Sequence, residues 1–167
     1  MIRLWLQLAI CLSALLFGVA HGRELPAALT AALVIKVIGY EEHLAASQTV
    51  TLLVVADENL YTLLQRQSQA LGGKFRVSYA EHFSPAQQAD VVFLGNKLMP
   101  REEISEVRSK ARLLLSDHYE LLERGAHLIL FEDDGVPGIA LRVSADDATR
   151  VKWNPEILNY ATSVLKN

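Results

Sequence analysis

Residues 112–143, RLLLSDHYELLERGAHLILFEDDGVPGIALRV, constrain the fold more tightly than any other stretch, because three apolar runs and their punctuation follow one another without a gap. Leu113, Leu114 and Leu115 form a continuous apolar run that stops at Ser116-Asp117, a pair that starts helices. The spacing then predicts one turn of helix over residues 119–123, ended by Arg124-Gly125. Residues 127–131 and 138–143 are both rich in Leu, Ile and Val. Between them, Asp133-Asp134-Gly135-Val136-Pro137-Gly138 is dense in turn formers, so the two runs predict an antiparallel hairpin.

The residues upstream supply elements that such a unit can join. Pro26 opens a run, 27–40, whose apolar residues at 29, 33, 34, 37 and 38 keep a helical period, with alanines flanking the stripe. Residues 49–56, TVTLLVVA, lack alternation and predict a strand covered on both faces. Asp57-Glu58-Asn59 caps a helix over 60–71, which Gly72-Gly73 terminates. Residues 74–79 alternate as a strand, 89–94 carry the apolar VVFL, and Pro100 starts a charged helix over 101–110. The chain closes with an expected short helix over 145–151 and a helix over 155–166, capped by Asn154-Pro155. Alternating strands and helices followed by a hairpin define an α/β class. The expectation is a single-domain three-layer sandwich, with a mixed, mostly parallel central sheet and a C-terminal antiparallel hairpin.

The first 22 residues stand apart. Met1-Ile2-Arg3 is a short basic start, residues 4–19 are apolar apart from Gln7 and Ser13, and Ala20-His21-Gly22 places small residues where a signal peptidase cuts. The pattern predicts a signal peptide over residues 1–22 and a domain over 23–167; the apolar run falls short of the ~20 residues that span a bilayer. Cleavage removes Cys11, the only cysteine, so the mature chain has no disulfide and no thiolate nucleophile or ligand. It also removes Arg3, leaving 15 basic against 19 acidic residues and a net charge of −4. Such a chain makes a poor nucleic-acid partner.

Catalytic and cofactor signatures are missing from the sequence. Gly72-Gly73 follows a helix and precedes a strand, the reverse of a phosphate-binding loop; there is no Gly-x-Ser-x-Gly elbow, and no His-x-x-x-His pair. No cofactor or metal is implied. One constellation remains. In an open parallel sheet, ligands sit outside the carboxyl ends of the strands, and those ends carry Asp57, Asn96, Ser116 and Asp117. By position each of these residues caps a helix, which is the favoured reading, and a cap exposes the same N–H groups a ligand would use.

Residues 31–40 (AALVIKVIGY), Val91 to Gly95, LLLSD at 113–117, GAHLIL at 125–130, Ile139 to Val143 and Pro155 to Ala161 follow one another in an order that resembles the YfiR-like family, periplasmic domains of the DUF4154 type. His43-Leu44 stands where a Trp-Pro often follows the first helix in that family, Arg124-Gly125 replaces a Gly-Gly, and Ser144 replaces an Asn. The resemblance implies a non-enzymatic periplasmic inhibitor. Its implied partner is the extracytoplasmic part of a membrane-bound diguanylate cyclase, with control of cyclic di-GMP and biofilm; a small-ligand module associated with a sensor kinase is the alternative. The first helix is apolar on more than one side, so Leu29, Leu33, Val37 and Tyr40 form the expected partner face, toward a membrane protein or in a two-fold homodimer.

Overall fold

The computed structural model describes residues 24–95, 99–145 and 150–166. Helix α1 (Ala27–Ile38) is followed by α2 (Glu42–Ala46), β1 (Val50–Val55), α3 (Glu58–Ala70), β2 (Phe75–Ala80), β3 (Val91–Leu94), α4 (Arg101–Lys110), β4 (Leu113–Ser116), α5 (Glu120–Arg124), β5 (Leu128–Asp133) and β6 (Val136–Val143). A 3-10 turn (Pro155–Asn159) and β7 (Ala161–Lys166) close the chain. The strands form one sheet in the order β2-β1-β3-β4-β5-β6-β7. The first five are mutually parallel, β6 runs antiparallel to β5, and β7 is parallel to β6.

Sheet and helices make the expected three layers because every central strand is apolar on both sides. On one face Val50, Leu52, Val54, Phe93, Leu113 and Leu115 pack beneath α1 and α3, which contribute Val34, Val37, Leu60 and Leu64. On the other, Leu53, Val55, Val92, Leu94 and Leu114 meet Ile104 and Val107 of α4 and Leu121 and Leu122 of α5. Helix α4 is thin on apolar side chains, but its charges suit the helix dipole: Glu102 and Glu103 lie in the first turn, Arg108 and Lys110 in the last.

Local chemistry sets the connections. Asp57 caps α3 by accepting from the Leu60 N–H at 2.9 Å. At the opposite end of β1, the Asp90 carboxylate accepts from the Thr51 N–H (2.8 Å) and hydroxyl (2.7 Å), while the Asp90 N–H donates back to Thr51 Oγ1 at 2.9 Å. This reciprocal pair fixes where β3 meets β1. The β5–β6 hairpin turns on Asp134 (φ 49°) and Gly135 (φ 79°) alone, the two positive values a type I′ turn requires. It is therefore tighter than the six-residue turn segment expected, and Val136 and Pro137 join the strand.

The structure corrects the C-terminus. The helix expected over 155–166 is a single 3-10 turn followed by a strand. Ile157, Leu158, Ala161, Val164 and Leu165 do fit a helical face, but residues 161–166 alternate in burial along β7 and pair with Ile139 to Val143. The exposed edge of β6 outcompetes the local period, as tertiary pairing overrides weak propensity. The first helix ends at Ile38, two residues before the expected limit, and Glu42–Ala46 forms a second helix that the sequence reading did not anticipate. Most of the helix expected over 145–151 lies outside the described residues.

Candidate functional site

The chain passes from β1 to β2 on one side of the sheet and then returns past β1 to β3 on the other. The order 2-1-3-4-5 puts the topological switch between β1 and β3, where open α/β sheets bind ligands outside the strand ends. Here that crevice is partly filled by the protein itself. A Cβ built on Gly95 would lie 2.5 Å from Asp57 Cβ, so the Asp57 side chain presses on the backbone that follows β3. Beside it opens a cleft of about 490 Å³, with Val55, Leu94 and Phe83 supplying apolar wall and Glu103 and Glu106 of α4 at its margin.

Three of the four expected strand-end residues are brought together. Asp57 caps α3. Ser116 is fully buried; its hydroxyl donates to the Leu94 carbonyl at 2.7 Å and accepts from the His118 N–H at 3.1 Å, tying β4 to β3. Asp117 is the next residue, just past the end of β4. Burial, opposed by the neighbouring His118, pushes its carboxyl up to about 6, with Glu24 and Asp57 adding to the rise. Asn96 lies outside the described residues. His118 stands 3.9 Å from Asp117 through its Nε2. His127 by contrast is structural: buried, it accepts the Leu114 N–H on Nδ1 at 2.9 Å.

A second surface lies where α1 meets the 3-10 turn and β7. Leu33, Tyr40, Pro137, Ile139 and Tyr160 surround a small apolar hollow of about 90 Å³. The Tyr40 and Tyr160 rings approach to 5.6 Å, and Lys36 Nζ lies 4.1 Å from the Tyr160 ring centroid. Leu158 and Tyr160 are 55 % and 48 % exposed, and β7 is the last strand of the sheet. Of the four residues expected to face a partner, Leu29, Leu33 and Tyr40 are half-buried at the margin of the core. Val37 is withdrawn from that set: it is 0 % exposed and packs into the core between α1 and the sheet. The helix expected over 155–166 put Leu158 on its apolar face and gave Tyr160 no role; the 3-10 turn that forms in its place leaves both exposed.

These features define a doubly wound α/β domain with a self-filled switch-point crevice and an apolar surface beside its last strand. The chain belongs to the DUF4154 family, YfiR/HmsC-like, whose model matches residues 27–162. Membership points to a periplasmic regulator of cyclic di-GMP signalling. No curated protein matches the chain. Among the described residues, no helix is long and apolar enough to cross a membrane.

Proposed function

We propose that the chain is exported through the signal peptide over residues 1–22 and acts in the periplasm as a non-enzymatic regulator. Its target is the extracytoplasmic part of a membrane-bound diguanylate cyclase, which it binds and inhibits, lowering cyclic di-GMP and restraining biofilm. The carrying observation is the apolar surface of Leu33, Tyr40, Pro137 and Tyr160 beside an edge strand, in a chain of this family. Exposed aromatic and aliphatic groups around a hollow suit a protein anchor, and an edge strand offers unpaired backbone groups. Inhibition follows from population shift: the regulator must bind the inactive form of its target more tightly than the active form, by about 10⁴-fold to move an equilibrium from 99:1 to 1:99.

The test combines capture and cellular readout. Affinity capture from envelope fractions should retain an inner-membrane diguanylate cyclase, and deleting the gene should raise cyclic di-GMP. Leu158→Glu and Tyr160→Glu should abolish retention while leaving the isolated protein folded. Unchanged cyclic di-GMP on deletion, with no cyclase retained by the wild-type chain, would overturn the proposal. Retention of a sensor kinase in its place would favour the alternative of a ligand-binding module, which the buried acidic group beyond β4 supports.

A further inference from the structure

At the end of the sheet opposite the switch-point cleft, the residues just ahead of β3 and β4 meet the carboxyl end of α4 around an open hollow of about 410 Å³. His43, Asp90, Lys110, Arg112 and Arg150 line it, and Ala89 is the one apolar residue among the described lining residues. Lys110, Arg112 and Arg150 thus face a single carboxylate, in a chain whose formal net charge is −3. A second hollow, of about 580 Å³, shares Ala89, Asp90 and Lys110 with the first and adds Thr51, Gln88 and Ser109.

The carboxylate is already committed: Asp90 Oδ2 accepts both the N–H (2.8 Å) and the hydroxyl (2.7 Å) of Thr51. The cations keep more in reserve. Arg112 Nη1 donates to the Arg150 carbonyl, and Arg150 Nη2 donates to the carbonyls of Ala111 (3.1 Å) and Ser109 (3.5 Å), so each guanidinium braces the chain that carries the other. Glu41 approaches Arg112 through the same Nη1, at 3.9 Å. A guanidinium has five N–H donors, and these contacts engage one nitrogen of each. Lys110 is exposed and has neither a hydrogen bond nor an ion pair among the described residues. Cations at the end of α4 ordinarily offset the negative end of the helix dipole. Arg150 does so through its two carbonyl contacts, which leaves Lys110 and the remaining edges of both guanidiniums in excess of that need.

We propose that this hollow binds a small soluble phosphate-bearing anion, whose oxygens accept from the uncommitted edges of Arg112 and Arg150 and from Lys110 Nζ. Guanidiniums pair with phosphate oxygens bidentately, and an ammonium adds a point charge. With so little apolar lining, the hollow offers nothing to seat an aromatic ring and nothing to insert into a bilayer, which favours a soluble phosphate over a lipid headgroup. The two hollows together exceed a bare phosphate, so a phosphate ester with a hydroxylated body, reaching past Lys110 toward Thr51 and Gln88, fills them better than inorganic phosphate. The site shares no residue with the apolar surface by which the chain is proposed to meet its partner, so either can fail without the other.

The test uses the mature chain, with inorganic phosphate and glycerol phosphate as probes, backbone-amide NMR and calorimetry. Both probes should give saturable shifts at Asp90, Lys110, Arg112 and Arg150, glycerol phosphate at the lower concentration, whereas chloride at equal ionic strength should not. Lys110→Gln, at an exposed side chain with no partner to lose, should weaken binding about tenfold through loss of one charge-assisted bond. Arg150→Lys, which keeps the charge but not the fork, should weaken it as well. Phosphatidylglycerol vesicles should not retain the chain through this site. Equal shifts with chloride, no saturation with either probe, or unchanged binding in Lys110→Gln would overturn the proposal, as would vesicle retention that glycerol phosphate competes away, since that would assign the site to lipid.

Discussion

A Cβ on Gly95 would lie 2.5 Å from the Cβ of Asp57, closer than real Cβ atoms come to any neighbour. The ends of β1 and β3 thus close on each other at the point where the strand order reverses. What looks in topology like an open ligand crevice is narrowed by a side chain that also caps α3. The space left at this end of the sheet is the cleft by Val55 and Leu94, to one side of that contact.

Gly95→Ala should therefore destabilise the fold by about 1–3 kcal/mol through overpacking against the Asp57 side chain. Asp57→Gly alone should cost only a few tenths of a kcal/mol, since glycine is a tolerable cap. In urea denaturation the double variant should recover most of the loss from Gly95→Ala. Additive losses would show that the Asp57 contact is not the cause.

Asp117 should make stability depend on pH in the direction opposite to an ordinary surface carboxylate. Its folded-state value, about 6, lies above the ordinary 3.8, so the folded protein holds the proton more tightly than the unfolded chain. Its contribution is most favourable below about pH 4, is lost as the pH rises to about 6, and is level above that, with a total of at most about 3 kcal/mol. Asp117→Asn should consequently stabilise the protein by about 1–3 kcal/mol at pH 7.5 and have little effect at pH 4. Urea denaturation of both proteins at the two pH values measures the difference.

Glu41 should be the most costly polar residue to remove. It is 0 % exposed, and its two oxygens accept the Leu44 N–H at 2.8 Å and the Lys152 N–H at 3.0 Å, joining the end of α1 to a segment 111 residues away. Arg112 NH1 lies 3.9 Å from the same carboxylate. Glu41→Leu leaves both backbone donors unmatched and should cost about 3–5 kcal/mol, whereas Arg112→Leu, at a half-exposed position, should cost about 1 kcal/mol or less. Chemical denaturation separates the two; a loss below 1 kcal/mol for Glu41→Leu would show the staple to be dispensable.

Mass spectrometry of the protein from a periplasmic extract should find an N-terminus near Arg23, from the Arg3, apolar 4–19 and Ala20-His21-Gly22 pattern. An intact chain beginning at Met1 in the cytosol would contradict both export and the periplasmic role proposed here.

Elements whose signals are local could be read from the residues alone. Unbroken apolar strands, caps such as Asp57, and the Asp134-Gly135 turn each act within a few residues of chain, so β1, α3, β4 and the hairpin were legible, and with them the three layers. The order of the site was legible for the same reason, since Asp57, Ser116 and Asp117 are strand-end residues by position alone. The remaining features depend on partners far along the chain. Residues 161–166 carry a helical period, yet they form β7 because β6 offers an unpaired edge. Val37 left the expected partner face because the sheet lies beneath it, and Glu41 became structural because Lys152 folds back upon it. The 3.9 Å gap between Asp117 and His118 is of this kind too: sequence makes them neighbours, but burial against the strand ends and the carboxylates of Asp57 and Glu24 gives the pair its chemistry.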